Sequence, residues 1–241
     1  MTGIPLAPSR VRWFLTGARD TVPMLVGAAP FGLIFGTLAA ASPLAAWQGE
    51  LMSLAVFAGS SQFIAIGLIS GGSGLVVVWL TTAIVNLRHL LYAAALLPQL
   101  GGLPRGWRLG LGFLLTDEVF AVLSRHYQLH PHDPDGHWYG LGSGLAMYLN
   151  WQAWTILGLW FGAGFPQLQH YGLDFAMTAT FLAIVVPQLN AGPHLGAACA
   201  AGVLAWFGRG LPYNLGLLLA VAAGMVVGVG LARRQRRGAS P

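Results

Sequence analysis

The sequence contains no lysine, so its 12 basic residues are all arginine. A Walker A loop needs a lysine on its phosphates, and Schiff-base chemistry needs a reactive amine. ATP hydrolysis by that route and pyridoxal phosphate held on a lysine are therefore excluded, and no cofactor is expected. Cysteine is almost as scarce. The lone Cys199 permits neither an intrachain disulfide nor a metal site made of thiols alone. Charge of either sign is rare, at 8% of residues with only 7 acids, against roughly 25% in a typical soluble domain. So few charges cannot clothe a soluble globule of 241 residues. There is also no Gly-x-Ser-x-Gly turn and no His-Glu-x-x-His pair, so the nucleophile or metal site of a hydrolase is missing and the chain is not expected to be an enzyme.

What the chain has is apolar sequence, 56% of it, in runs of about 20 residues, the length that crosses a bilayer core. Segments fall at about 22–41, 47–70, 75–97, 109–124, 138–163, 173–190, 194–207 and 213–232. They are continuously apolar, without the alternation of barrel strands. Lipid offers no partner to an open strand, so the expectation is an all-α, polytopic helical bundle of seven to eight transmembrane or re-entrant segments. It forms one transmembrane domain over 1–241. The first segment is longer than a signal-peptide core and is interrupted by Pro30, Gly32 and Gly36, so a retained span is expected. Glycines four apart, as at Gly32/Gly36, Gly140/Gly144, Gly158/Gly162 and Gly224/Gly228, are read as close helix contacts.

Arginines gather at segment ends: Arg10, Arg12 and Arg19 before the first, and Arg233, Arg234, Arg236 and Arg237 after the last. The positive-inside rule then expects both termini in the cytoplasm of a multi-pass protein in the bacterial inner membrane, and this placement speaks against nucleic-acid binding. Eight crossings satisfy the termini but leave Arg105, Arg108 and Arg209 on the outer side, a conflict the sequence does not resolve. The short segment 194–207 is a candidate half-length helix.

An ionised side chain in the apolar core is costly and by default functional. The candidates are few. Asn86, Arg88 and His89 lie in NLRHLLY; Thr116, Asp117 and Glu118 in LLTDEVFA; and Gly59, Ser60, Ser61 and Gln62 interrupt the second segment. Asn150 and Gln152 lie in the fifth segment, and Pro187-Gln188-Leu189-Asn190 ends the sixth. Arg88 can neutralise one carboxylate of Asp117 and Glu118. Burial favours the protonated form of the other, which suits it to take up and release protons. Asp117, Glu118 and His89 are thus the proton-coupling candidates. Gly59, Ser60, Ser61, Gln62, Asn86 and Arg88 are the substrate-binding candidates, since a broken helix offers free amides to a carboxylate. A substrate's apolar part is expected on Phe57 and Phe63. The tripeptide Pro-Gln-Leu recurs at 98–100, 166–168 and 187–189, a hint of an internal repeat. The stretch His126 to His137, with four His and two Asp, reads as a solvated turn-rich loop rather than a metal site.

The motifs VPMLVGAAPFGLIFG, FAGSSQFIA, NLRHLLYAAAL and LLTDEVFA, in this order over about residues 20–125, resemble the AzlC family, the large subunits of bacterial branched-chain amino acid exporters. The resemblance implies branched-chain amino acids as substrates, in some members methionine or its analogues. It also implies a small hydrophobic partner of the AzlD type and export driven by the proton-motive force. It carries over to Pro30, Phe31, Gly32, Gly59, Ser60, Gln62, Asn86, Arg88, His89, Thr116, Asp117 and Glu118. The competing readings are a non-transporting membrane scaffold and a permease or passive channel for another small solute.

Overall fold

Chain segments this apolar leave the backbone no partner but itself. The computed structural model describes residues 10–131, 133–164, 182, 186, 189–190, 192–211 and 215–238, with no strand among them. Ten helices are described: α1 (Arg10–Asp20), α2 (Val22–Ala41), α3 (Ala46–Val56), α4 (Gly59–Ser70), α5 (Leu75–Leu100), α6 (Arg105–Phe113), α7 (Asp117–Leu129), α8 (Gly136–Gly164), α9 (Gly192–Gly208) and α10 (Leu215–Gly238). Two of these, α2 and α5, are long and apolar enough to cross a membrane by length and composition. The chain divides into two compact units, Met1–Ile66 with Thr82–Tyr171 and Gly67–Thr81 with Gly172–Pro241.

The first unit is built along α8. Helices α1 and α2 run parallel to it, so that contacts climb both sequences together. Thr21 Oγ1 donates to Ser143 Oγ at 2.7 Å, Asn150 Nδ2 to the Leu25 carbonyl at 3.2 Å, and Thr37 Oγ1 to the Gly158 carbonyl at 3.3 Å. Gly36 and Gly158 make the tightest part of this crossing. A Cβ on Gly158 would meet the Leu33 carbonyl, and one on Gly36 the Thr155 carbonyl. The glycine pairs expected to bring backbones together do so here.

Helix α3 runs against α8. Gly49 lies beside Ala39 and Leu159, Ser53 Oγ is 3.1 Å from Thr155 Oγ1, Gln152 Nε2 donates to the Ser53 carbonyl at 3.2 Å, and the Phe57 ring is 4.9 Å from that of Tyr148. At Phe57 the backbone enters the left-handed region, with φ of 43°, and the chain turns back. Helix α4 then climbs alongside α2: Gly59 faces Trp151, which also touches Gly32, and Phe63 sits 5.9 Å from Phe35. Thus α3 and α4 form a hairpin whose tip, Phe57–Ala58, lies at the middle of α8.

A second hairpin enters from the other end. Helix α6 runs with α8, placing Trp107 at 4.8 Å from Trp138, Leu111 beside Gly140 and Leu114 beside Gly144. Helix α7 returns, with Leu123 beside Gly140 and Tyr127 beside Gly136. Its turn at Leu114–Thr116 ends in a polar cap, where Thr116 Oγ1 accepts from the Val119 amide at 3.4 Å. The two tips meet, the Phe57 and Phe113 rings being 6.2 Å apart. In the second unit α9 and α10 are antiparallel, with Gly208 against Gly216 and Ala197 against Gly224 and Gly228.

Several expectations change. The segments at 47–70 and 109–124 are not straight spans but doubled-back hairpins, because Phe57 and the Leu114–Thr116 turn break them at mid-depth. Helix α1 is an added element. Residues 194–207 belong to a helix of 17 residues. The segment at about 173–190, including Pro187 and Gln188, lies largely outside the described residues. The solvated loop from His126 to His137 is corrected as well. His126 lies in the last turn of α7 with only 5% exposure, His137 lies in the first turn of α8, and the link between the helices is short.

One end of α8 gathers most arginines of the first unit. Arg10 lies over Trp138 at 6.0 Å, and Trp107 packs on the same ring. Arg19 and Arg125 line one cleft with Tyr139. Of the seven arginines of this unit, Arg10, Arg12, Arg19, Arg105, Arg108 and Arg125 therefore share the end where α8 begins, called the near end below. The seventh is Arg88.

Candidate functional site

Arg88 lies in mid-α5, where the two hairpin tips meet. Its Nη1 donates to Asp117 Oδ2 at 2.6 Å and its Nη2 to Ser60 Oγ at 2.6 Å. Ser60 stands in the first turn of α4 and Asp117 in the first turn of α7. One guanidinium therefore ties together the N-terminal ends of two short helices and a third, continuous one. Both helix starts carry partial positive charge, so the Asp117 carboxylate offsets one dipole as well as the arginine.

The triad is not saturated. Arg88 Nε and Asp117 Oδ1 are buried without hydrogen-bond partners among the described residues, although the two side chains remain 26% and 40% exposed overall. A donor and an acceptor left open on the same ion pair match the two charged ends of a zwitterion, since buried polar groups without partners are costly and seek one. Glu118, one residue on, is part-exposed and has no ion pair among the described residues.

The other sequence candidates surround this triad without joining it. Gln62 is fully buried, with both amide atoms unpartnered, and Asn86 Oδ1 is buried and unpartnered. Ser61 Oγ donates back to the Ala58 carbonyl at 2.9 Å. His89 Nδ1 is 3.1 Å from the Asn86 carbonyl, the local bond of an ordinary helical histidine. Gly59 has a steric role: a Cβ there would come within 2.9 Å of the Trp151 ring. Phe57, at the first tip, and Phe63 are buried in aromatic packing, at 4% and 1% exposure. Pro30 lies inside α2 without ending it.

Sequence reasoning missed Tyr92. It stands one turn after Arg88 on α5, within electrostatic reach of Asp117, Arg88 and Glu118, and it stacks on Phe120 at 4.5 Å. The i, i+4 spacing from Arg88 was the available signal.

A second titratable group sits at the near end, beyond the apolar stretch that closes at residue 124. His126 Nε2 is 3.0 Å from Asp133 Oδ2, with side chains only 3% and 8% exposed. Burial pushes the imidazole below its ordinary range, against the opposing pull of Asp133. The imidazole is therefore neutral at pH 7, and Nε2–H donates to the carboxylate. The ring stacks on Tyr139 at 4.0 Å, and the Tyr139 hydroxyl donates to Asp20 Oδ2 at 2.9 Å. Burial, reinforced by Asp133, raises the neighbouring Tyr127 hydroxyl to about 12. No cluster of His, Cys, Asp or Glu among the described residues has the geometry to hold a metal ion.

The AzlC protein family matches residues 23–165, the stretch that holds both hairpins, Arg88 and all of α8. The branched-chain amino acid transport protein AzlC of Bacillus subtilis is 30% identical over 169 residues, covering 70% of this chain and 65% of that protein. The inner membrane protein YgaZ of Escherichia coli is 25% identical over 220 residues, covering 89% and 87%. An uncharacterised membrane protein of Archaeoglobus fulgidus is 30% identical over 200 residues, covering 82% and 85%. No solved structure matches. With one of its four motifs in α2, two at the hairpin tips and one carrying the arginine between them, the chain belongs to the AzlC family of membrane proteins.

Proposed function

We propose that this chain is the large subunit of a secondary exporter of branched-chain amino acids, driven by the proton-motive force across the bacterial inner membrane and working with a small hydrophobic AzlD-type subunit. The observation that carries this reading is the Ser60–Arg88–Asp117 triad at the meeting point of two helix breaks. Broken helices whose N-terminal ends face a mid-membrane site are how transporters hold a substrate carboxylate.

In this reading α2, α5 and α8 cross the membrane, while the α3–α4 and α6–α7 hairpins enter from opposite faces. The substrate inserts into the ion pair. Its carboxylate takes the Arg88 guanidinium and Ser60, and its ammonium takes Asp117, with Glu118 beside it. The exchange keeps the site neutral, which limits the desolvation cost of a charged substrate in an apolar surround. Protonation of Glu118 or Asp117 then weakens the hold on the ammonium and favours release. The inverted placement of the two hairpins supplies two gates, one per face. The six arginines of the near end support a cytoplasmic side for it, by the positive-inside rule. The B. subtilis relative, named as a branched-chain amino acid transport protein, supports the substrate class.

The test is efflux of preloaded isotopic leucine, valine, isoleucine and methionine from cells expressing the chain with and without the AzlD-type subunit, with a proton uncoupler in half the samples. The expected result is efflux that needs both chains and stops with the uncoupler. Absence of efflux for all four, with both chains in the membrane, overturns the reading.

A further inference from the structure

A feature not used by the triad is a cleft of about 750 Å³ in the first unit, at the near end, between the α1–α2 junction and α7. Its rim carries the exposed Arg19 and Arg125, and its apolar lining includes Met24, Ala121 and the buried Val122. Neither arginine is in an ion pair among the described residues, and Asp20 on the same rim is occupied by the Tyr139 hydroxyl. The rim is thus cationic and the wall apolar.

The direction in which the cleft points follows from helix geometry. On α7, residues 118, 121, 122, 125 and 129 fall on one face at 3.6 residues per turn. Four of these five, Ala121, Val122, Arg125 and Leu129, line the cleft. The fifth is Glu118, one turn further in, about 5 Å along the axis at a 1.5 Å rise per residue. The cleft therefore ends one turn short of the carboxylate that lacks a partner, and it opens at the arginine-rich end.

We infer that this cleft is a water-filled vestibule through which an amino acid zwitterion and protons reach Glu118 and the Arg88–Asp117 pair from the near face. Arg19 and Arg125 draw the substrate carboxylate to the rim, and the apolar wall accepts an aliphatic side chain. The inference rests on the transport reading for its substrate but not for its water.

The chain has one native cysteine, Cys199, so a Cys199→Ser background allows single-cysteine labelling of the full chain in membrane vesicles. Ala121→Cys and Val122→Cys are compared with Leu149→Cys, whose native side chain is exposed in mid-α8, and with Val119→Cys, whose native side chain is 2% exposed against 8% for Val122. Charged, membrane-impermeant methanethiosulfonate is added to vesicles of either orientation. The expected result is reaction at 121 and 122 from one face only, about tenfold or more faster than at 149, because lipid excludes the charged reagent. Reaction at 121 and 122 with a lipid-soluble maleimide alone would mean that lipid fills the cleft, and reaction with neither reagent would mean that it is closed. Either outcome overturns the vestibule. Added leucine is expected to slow the charged reagent severalfold. Labelling that proceeds unchanged by leucine supports the vestibule and counts against the substrate, so the two readings fail separately.

Discussion

Arg88 and Asp117 lie 29 residues apart in sequence and 2.6 Å apart in space, with Ser60 on the guanidinium's other nitrogen at the same distance. The contact joins two hairpin tips that are distant in sequence and also meet through the Phe57 and Phe113 rings, so the pair reports on the tertiary arrangement as well as on the site.

Arg88→Ala removes one partner and leaves a carboxylate at a helix start with two unmet acceptors. It should lower thermal stability in detergent more than the Arg88→Ala/Asp117→Ala double variant does. The coupling expected of a partly exposed pair is about 1 kcal/mol. Additive losses would mean that the two side chains do not support each other.

Phe57 gives an unusual order of substitutions. Its left-handed backbone costs an L residue about 1–2 kcal/mol, and glycine is spared that cost. Its ring is buried against Tyr148 and Phe113, so both Phe57→Ala and Phe57→Gly lose packing. Phe57→Gly should nevertheless be the more stable of the two by about 1 kcal/mol, as read by thermal unfolding. The reverse order would contradict the turn at the α3–α4 tip.

Gly158→Leu should separate α2 from α8, because its Cβ meets the Leu33 carbonyl, which cannot move away as a side-chain end can. Overpacking of this kind costs about 1–3 kcal/mol or more. The expected result is loss of folded, monodisperse protein on size-exclusion chromatography, whereas Gly230→Leu, where nothing stands within 4 Å, is expected to leave it intact.

These positions also show what was readable in advance. The bounds of α2 coincide with the first apolar run, and α8 lies within two residues of its own, since length and hydropathy fix a long span. The tip at Gly59-Ser60-Ser61 was legible because polar and small residues interrupt an apolar run. The second tip was not: Leu114-Leu115 is as apolar as any helix interior, and the one local signal was Thr116 as a cap before two acids. Hydropathy does not record direction, so neither doubling-back was visible. Arg88 and Asp117 could be nominated from charge scarcity, but that Arg88 takes Asp117 rather than Glu118, and Ser60 with it, needed the fold. The His126 stretch was misread because Pro134, Asp135 and Gly136 mark a turn, while the burial of His126 against Trp13 and Tyr139 comes from α1 and α8.

His126 gives a pH dependence of definite sign. Its folded-state value is lowered by burial, so the unfolded chain binds the proton more readily. The stabilisation is present above the free imidazole value of about 6.5 and is lost as pH falls below it toward the folded value. Asp133, His130 and Asp20 are the titratable neighbours, and Asp133 opposes the shift. The wild-type protein should therefore lose more thermal stability between pH 7.5 and pH 5 than His126→Gln, which keeps a donor but cannot titrate. Equal losses would show that His126 is not the group responsible.

The most direct test of the transport site is leucine exchange in proteoliposomes holding this chain with its AzlD-type subunit, comparing wild type with Asp117→Asn. The account predicts exchange by the wild type and a fall of roughly 30-fold or more in the variant. That is the consequence of losing one partner of a hydrogen-bonded charge pair, at about 2 kcal/mol or above, with the variant still folded. Leucine exchange by Asp117→Asn at the wild-type rate would contradict the assignment of the Arg88–Asp117 pair as the place where the substrate binds.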